Sequence, residues 1–175
     1  MPRKMIAALA ALVAASTASA QVYVPGQSAP AAPTAPPAAA AAIGSGGDFT
    51  TATVAPGSWV YRALPGGSEA RFIDSSGTAR LILTCTKMTR RVSISHTSGT
   101  PSTALSVWTS SASRTLPARF EPNAMRVTAE LFAQDALLDA IAFSRGRFAV
   151  TMAGGLPLVM PAWPEAARTV EDCRI

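Results

Sequence analysis

From Trp59 to Met160 the chain repeatedly places apolar residues at alternate positions, the signature of strands with one face buried. Trp59 and Tyr61 alternate with Val60 and Arg62 before Pro65-Gly66-Gly67 turns the chain into Glu69-Ala70-Arg71-Phe72-Ile73. A second turn follows at Asp74-Ser75-Ser76-Gly77, where Asp and Ser bond the local backbone and Gly accepts positive φ. Leu81, Leu83 and Cys85 then share one strand face, and Val92, Ile94 and His96 share one face of the next. The stretch from Lys87 to Arg90 is the hairpin link between them. Further strands are predicted over Ala104–Thr109, Thr115–Phe120, Arg126–Leu131, Phe148–Met152 and Leu156–Met160.

Two segments have helical spacing instead. Asp135 can cap a helix that carries Leu137, Leu138 and Ile141 on one side and ends near Ser144-Arg145-Gly146. The second starts at Pro164, which fits the first helical position, and has Glu165 at its positive end. Ala166, Val170 and Cys173 fall on one face of it. Glu171-Asp172 sits at its C-terminus, where negative charge opposes the helix dipole, and bonding to Arg168 or Arg174 would offset that.

The N-terminal third reads differently. Residues 1–20 have the three parts of an export signal: Arg3 and Lys4, an apolar run from Met5 to Ala15, and Ala18-Ser19-Ala20 at the cleavage point. The run is about eleven residues, short of the roughly 20 that a membrane anchor needs. Cleavage near Ala20 predicts a periplasmic, alternatively secreted, protein with no stable membrane anchor. Residues 21–55 are rich in Ala, Pro, Ser, Thr and Gly and lack the large apolar side chains that offset the entropy of ordering, which predicts a disordered tether. Residues 56–175 suffice for one domain.

Export changes the meaning of the two cysteines. An oxidising compartment pairs thiols, and Cys85 and Cys173 allow one connectivity. The expected fold is therefore mainly β: an antiparallel β-sandwich with one or two short helices, the C-terminal helix tied to the sheet by a Cys85–Cys173 disulfide. Export also changes the charge, because losing Arg3 and Lys4 lowers the formal +5 to +3. The domain keeps thirteen basic and nine acidic residues, an excess that suits an anionic envelope polymer. The compartment argues against nucleic acid as a partner.

Candidate chemistry is sparse. His96, the single histidine, lies in Ser93-Ile94-Ser95-His96-Thr97 without the Gly-flanked nucleophile turn of a hydrolase, and a packing or surface role is expected for it. One His, two paired Cys and scattered carboxylates make no dense ligand set, so neither a metal nor another cofactor is expected. Gly66-Gly67 and Gly154-Gly155 lack the Lys-Ser/Thr of a phosphate loop and read as turns. The densest positive charge is Lys87-Met88-Thr89-Arg90-Arg91, which makes Lys87, Arg90 and Arg91 candidates for docking an acidic partner. Of Trp59, Trp108 and Trp163, Trp108 is the best surface candidate, since Leu105 and Val107 take the opposite strand face.

An early Trp59, Gly77 followed by Ala79-Arg80-Leu81-Ile82-Leu83-Thr84-Cys85, a late strand Phe148–Met152 and a closing segment Leu158–Cys173 together resemble a group of small exported bacterial β-sandwich proteins. These are the invasion-associated locus B-like and type VI secretion accessory (VasI-like) proteins. The resemblance implies an exported β-sandwich with a non-enzymatic accessory role. The chain departs from the group in its Ala/Pro tether and in Pro161-Ala162-Trp163-Pro164. The expected function is a non-catalytic periplasmic binding or accessory module for a protein or cell-envelope partner, the alternative being a hydrolase of envelope material.

Overall fold

The computed structural model describes residues 49–175; the segment read as an export signal and all but the last residues of the expected tether lie outside them. Ten strands form two antiparallel sheets. The larger runs in the order β1 (Gly57–Leu64), β2 (Gly67–Asp74), β3 (Ala79–Thr86), β4 (Arg91–Thr97), β8 (Arg126–Phe132), β7 (Arg119–Glu121). The smaller runs β10 (Leu158–Pro161), β9 (Arg147–Met152), β5 (Ala104–Trp108), β6 (Ser113–Pro117). Helices α1 (Ala136–Ala142) and α2 (Pro164–Asp172) complete the β-sandwich.

The turns form where their side chains allow. Asp74 Oδ1 accepts from the backbone N–H groups of Ser76 (2.9 Å) and Thr78 (3.0 Å), and Gly77 supplies φ of 81°. Gly67, paired with both Leu64 and Thr86, lies so near the carbonyl of Cys85 that a Cβ would collide with it. Glycine thus lets β2 start flush against β3.

Alternation sends three rows of the large sheet into the core. One is Trp59, Phe72, Leu81, His96, Val127 and Phe120; the next is Tyr61, Ala70, Leu83, Ile94 and Ala129; the third is Ser68, Cys85, Val92 and Leu131, with Ala63 at its exposed end. The first row meets the small sheet: Trp59 packs on Phe148 at 6.0 Å between ring centroids, and its indole N–H donates to the carbonyl of Pro161 (2.9 Å). The third row meets α2, whose buried Ala166, Thr169 and Val170 face it together with Cys173. Cys85 and Cys173 are bonded there, with Cα atoms 5.4 Å apart and 88 residues between them in the chain.

Both helices are held at their ends. The Asp135 carboxylate accepts from the N–H of Leu137 (2.9 Å) and pairs with Arg114 (2.7 Å), joining the start of α1 to β6. Arg174, just past α2, pairs with Asp139 of α1 (2.8 Å) and donates through Nε to the carbonyl of Ala133 (2.9 Å). Ahead of β1, the N–H of Ala55 donates to the carbonyl of Val159 (2.8 Å), and Arg147 donates to the carbonyl of Ala52 (2.6 Å). Residues 52 and 55, tether by composition, are therefore bonded to β10 and β9.

Two strand assignments change. Thr115–Phe120 is not one strand: β6 ends at Pro117 in the small sheet, the N–H of Ala118 bonds to Thr103 (2.9 Å), and β7 begins in the large sheet. Leu116, Ala118 and Phe120 keep their alternation throughout, because both sheets send alternate residues into the same core. The last strand begins at Leu158 rather than Leu156, which is exposed and lies between the turn and the strand.

The bridge closes a long loop, so reduction or Cys173→Ser is expected to lower the free energy of unfolding by roughly 2–5 kcal/mol. Denaturant titrations of the oxidised and reduced protein measure it. Coincident midpoints would show that α2 needs no staple.

Candidate functional site

Adjacent strand residues point to opposite faces, and this divides the sequence candidates. His96 points inward and is 6% exposed, while its neighbour Ser95 points outward and bonds to Thr128 (3.0 Å between hydroxyl oxygens). The serines of this strand therefore lie across the sheet from the imidazole. Burial holds the His96 pKa below its ordinary 6.5; the Thr97 backbone opposes the shift and the charge of Arg80 reinforces it.

Lys87, Arg90 and Arg91 come together at the β3–β4 turn. The turn is braced: the N–H of Lys87 donates to Gly66 O (3.0 Å), the N–H of Arg90 to Lys87 O (3.2 Å), and the N–H of Ala133 to Arg90 O (2.9 Å). Arg90 takes the left-handed conformation, φ 50°, that closes the turn. Trp108 lies elsewhere, on the outer face of the small sheet beside the buried Ala149, while Arg91 lies on the outer face of the large sheet. The core separates the two. Trp108 is also half-buried, and the more exposed tryptophan is Trp163, at 42%.

The outer face of the large sheet carries cross-strand rows of polar residues. In the row Arg62, Glu69, Thr84, Ser93, Glu130, the Glu69 carboxylate is held between Arg62 (3.1 Å) and Arg71 of the next row (2.5 Å). At the far side Arg119 pairs with Glu130 (3.2 Å) and Glu121 (3.4 Å). Beside the β3–β4 turn the face opens into a depression of about 370 Å³, lined by Thr86, Thr89, Arg91, Ser93 and Glu130. The Arg91 guanidinium lies 4.2 Å over the ring of Phe132, its register partner on β8.

The ion pairs sort the basic residues. Arg62, Arg71, Arg80, Arg114, Arg119 and Arg174 each meet a carboxylate, whereas Lys87, Arg90, Arg91, Arg126, Arg145, Arg147 and Arg168 form no ion pair among the described residues, and of these the first three are grouped at one turn. The charge of Lys87 acts on the nearby carboxylate of Asp172, and Arg91 shares the lining of the depression with the carboxylate of Glu130.

Asp172 belongs to a second polar cluster, between α2 and the sheet. Its carboxylate accepts from the Tyr61 hydroxyl (2.6 Å), and Arg168 stacks 4.1 Å over the Tyr61 ring. Burial alone would raise the Asp172 pKa. The hydroxyls of Tyr61 and Ser68 and the charges of Arg168 and Lys87 outweigh it and leave the group below its ordinary value. Tyr61 shifts upward, mainly through the same hydrogen bond. The acidic pair at the helix end is thus accounted for: Asp172 by Tyr61, and Glu171 by Arg174 at 3.3 Å.

The depression offers hydroxyl donors, one unpaired guanidinium and one carboxylate, a set suited to hydrogen bonding and ion pairing with an anionic or polyhydroxylated ligand. Among the described residues no cluster of three His, Cys, Asp or Glu could hold a metal, and no helix is long and apolar enough to cross a membrane. Comparison with protein-family models, with curated proteins and with solved structures gives no match. The fold is a β-sandwich with a helix stapled to it by a disulfide, and three basic residues meet at its β3–β4 turn.

A buried histidine whose pKa is lowered stabilises the fold fully above its ordinary value of 6.5 and less as pH falls below it, since the unfolded chain then takes up a proton first. Unfolding free energies of wild type and His96→Gln, followed between about pH 7.5 and 5, are expected to show a wild-type loss on acidification that the variant lacks. Parallel pH profiles would contradict the assignment.

Proposed function

We propose that the protein is a non-catalytic periplasmic binding or accessory module, whose working surface is the outer face of the large sheet at its β3–β4 end. The observation that carries the reading is the meeting, at one braced turn, of Lys87, Arg90 and Arg91, beside a depression rich in hydroxyls. Unpaired cations on a rigid surface keep their field for a partner instead of an internal carboxylate. A protein or an anionic cell-envelope polymer is the class of ligand that this charge and these hydroxyls recognise. Two supports for the compartment are the export signal read in residues 1–20 and the disulfide, which an oxidising compartment sustains. The resemblance to locus B-like and VasI-like proteins points to the same accessory role.

A photo-crosslinking amino acid at position 93, inside the depression, is expected to capture an envelope component in living cells, and Arg91→Ala is expected to reduce the yield several-fold. The same group at position 108, on the opposite outer face, serves as the control. Capture from 108 alone, or turnover of peptidoglycan or ester substrates that disappears in His96→Ala, would overturn the reading.

A further inference from the structure

The β3–β4 turn has a property that a polar partner does not require. Met88 at its tip is 92% exposed, and Phe132 beside Arg91 is 61% exposed, so two large apolar side chains project next to Lys87, Arg90 and Arg91. Soluble surfaces tolerate single exposed hydrophobes, but an apolar tip ringed by unpaired cations is the composition that interfacial segments use. The apolar groups enter the boundary between headgroups and acyl chains, and the cations meet the headgroup phosphates. The neighbouring carboxylates are engaged with other groups: Asp172 with Tyr61, Asp139 and Glu171 with Arg174, and Glu130 with Arg119. The turn is held by backbone bonds to Gly66 and Ala133, so presenting Met88 requires little further ordering.

We infer that the β3–β4 turn is a reversible docking tip for anionic phospholipid bilayers, with Met88 and Phe132 as the inserting groups and Lys87, Arg90 and Arg91 as the headgroup contacts. The inference rests on the envelope location proposed above. It gives the protein a second contact beside the depression, so that a partner held at Ser93 lies close to a membrane surface. Peripheral docking of this kind is weak, because each basic residue near an anionic surface contributes only about a fivefold gain in partition.

The test is sedimentation of the processed full-length protein with vesicles of equimolar phosphatidylglycerol and phosphatidylcholine, against vesicles of phosphatidylcholine alone. Binding to the anionic vesicles only, falling as salt is raised, is expected. Lys87→Gln with Arg90→Asn, which removes two charges and puts a residue tolerant of positive φ at position 90, should weaken binding about 25-fold. Met88→Ser keeps every charge and should weaken it about tenfold. Thermal unfolding of each variant close to that of wild type establishes that the fold is intact. Equal binding to both vesicle types, no binding to either, or anionic binding that neither variant weakens would overturn the inference. All of these variants leave Arg91 and Ser93 in place. Crosslinks from position 93 that persist without vesicle binding would therefore overturn the membrane contact and leave the binding face standing.

Discussion

The covalent link between Cys85 and Cys173 joins α2 to the part of the large sheet that the small sheet does not cover. A six-stranded sheet opposed by a four-stranded one leaves apolar residues without a partner layer, and here they are the row from Ser68 through Cys85 and Val92 to Leu131. α2 closes over this row with Ala166 and Val170, contributing one narrow apolar stripe. A nine-residue helix is too short to be stable in isolation, so its place depends on what ties it down. The disulfide does this from inside, while Tyr61 and Arg174 do it from the flanks through Asp172, Asp139 and the Ala133 carbonyl. Gly67 belongs to the same arrangement, since any side chain there would push β2 off the strand that carries Cys85.

With the core closed in this way, the two outer faces have different chemistry. On the small sheet Trp108 lies beside Ala149, and Ala149 pairs with Val159; both aliphatic residues are buried although they point away from the core. On the large sheet arginines alternate with hydroxyls and carboxylates, and most of that charge is consumed locally, as at Glu69 between Arg62 and Arg71. Glu69 is buried, so its pairing is more than a solvated contact, yet the desolvation it suffers cancels much of the Coulomb gain. Of the charge left over, Lys87, Arg90 and Arg91 lie together at the β3–β4 turn, and Arg126 of β8 is likewise without an ion pair among the described residues.

Period-two alternation was enough to assign the inward residues of β3 and β4, including His96, and to predict that the bridge would run from sheet interior to helix interior. Asp135 and Pro164 marked the two helix starts through capping chemistry, which is local. The failures are of a different kind. The break within Thr115–Phe120 was invisible, because a strand passing between the two sheets of one sandwich keeps its alternation. Phe132 and Glu130 reach the site only through the pairing of β4 with β8, across a long stretch of chain that holds three other strands. No local pattern encodes that partnership. Trp108 was favoured over Trp163 on face alone, but exposure depends on what else shares the face, and Trp163 precedes α2 at a surface corner.

The same distinction explains why composition is a poor guide to the candidate binding face. A count of basic residues treats Arg71 and Arg90 alike, although one lies against a buried carboxylate and the other crosses a tight turn with no anion beside it. An ion pair within the fold spends its field on its own partner, and a distant ligand meets something close to a dipole. A cation without a partner acts at full charge, and in a turn fixed by backbone bonds it also loses little conformational entropy on contact. The field this surface presents therefore follows from where acidic residues are missing as much as from where basic ones occur. That pattern becomes readable only after cross-strand register has brought Glu69 to Arg62 and Glu130 to Arg119, and has left Arg90 and Arg91 without an ion pair among the described residues.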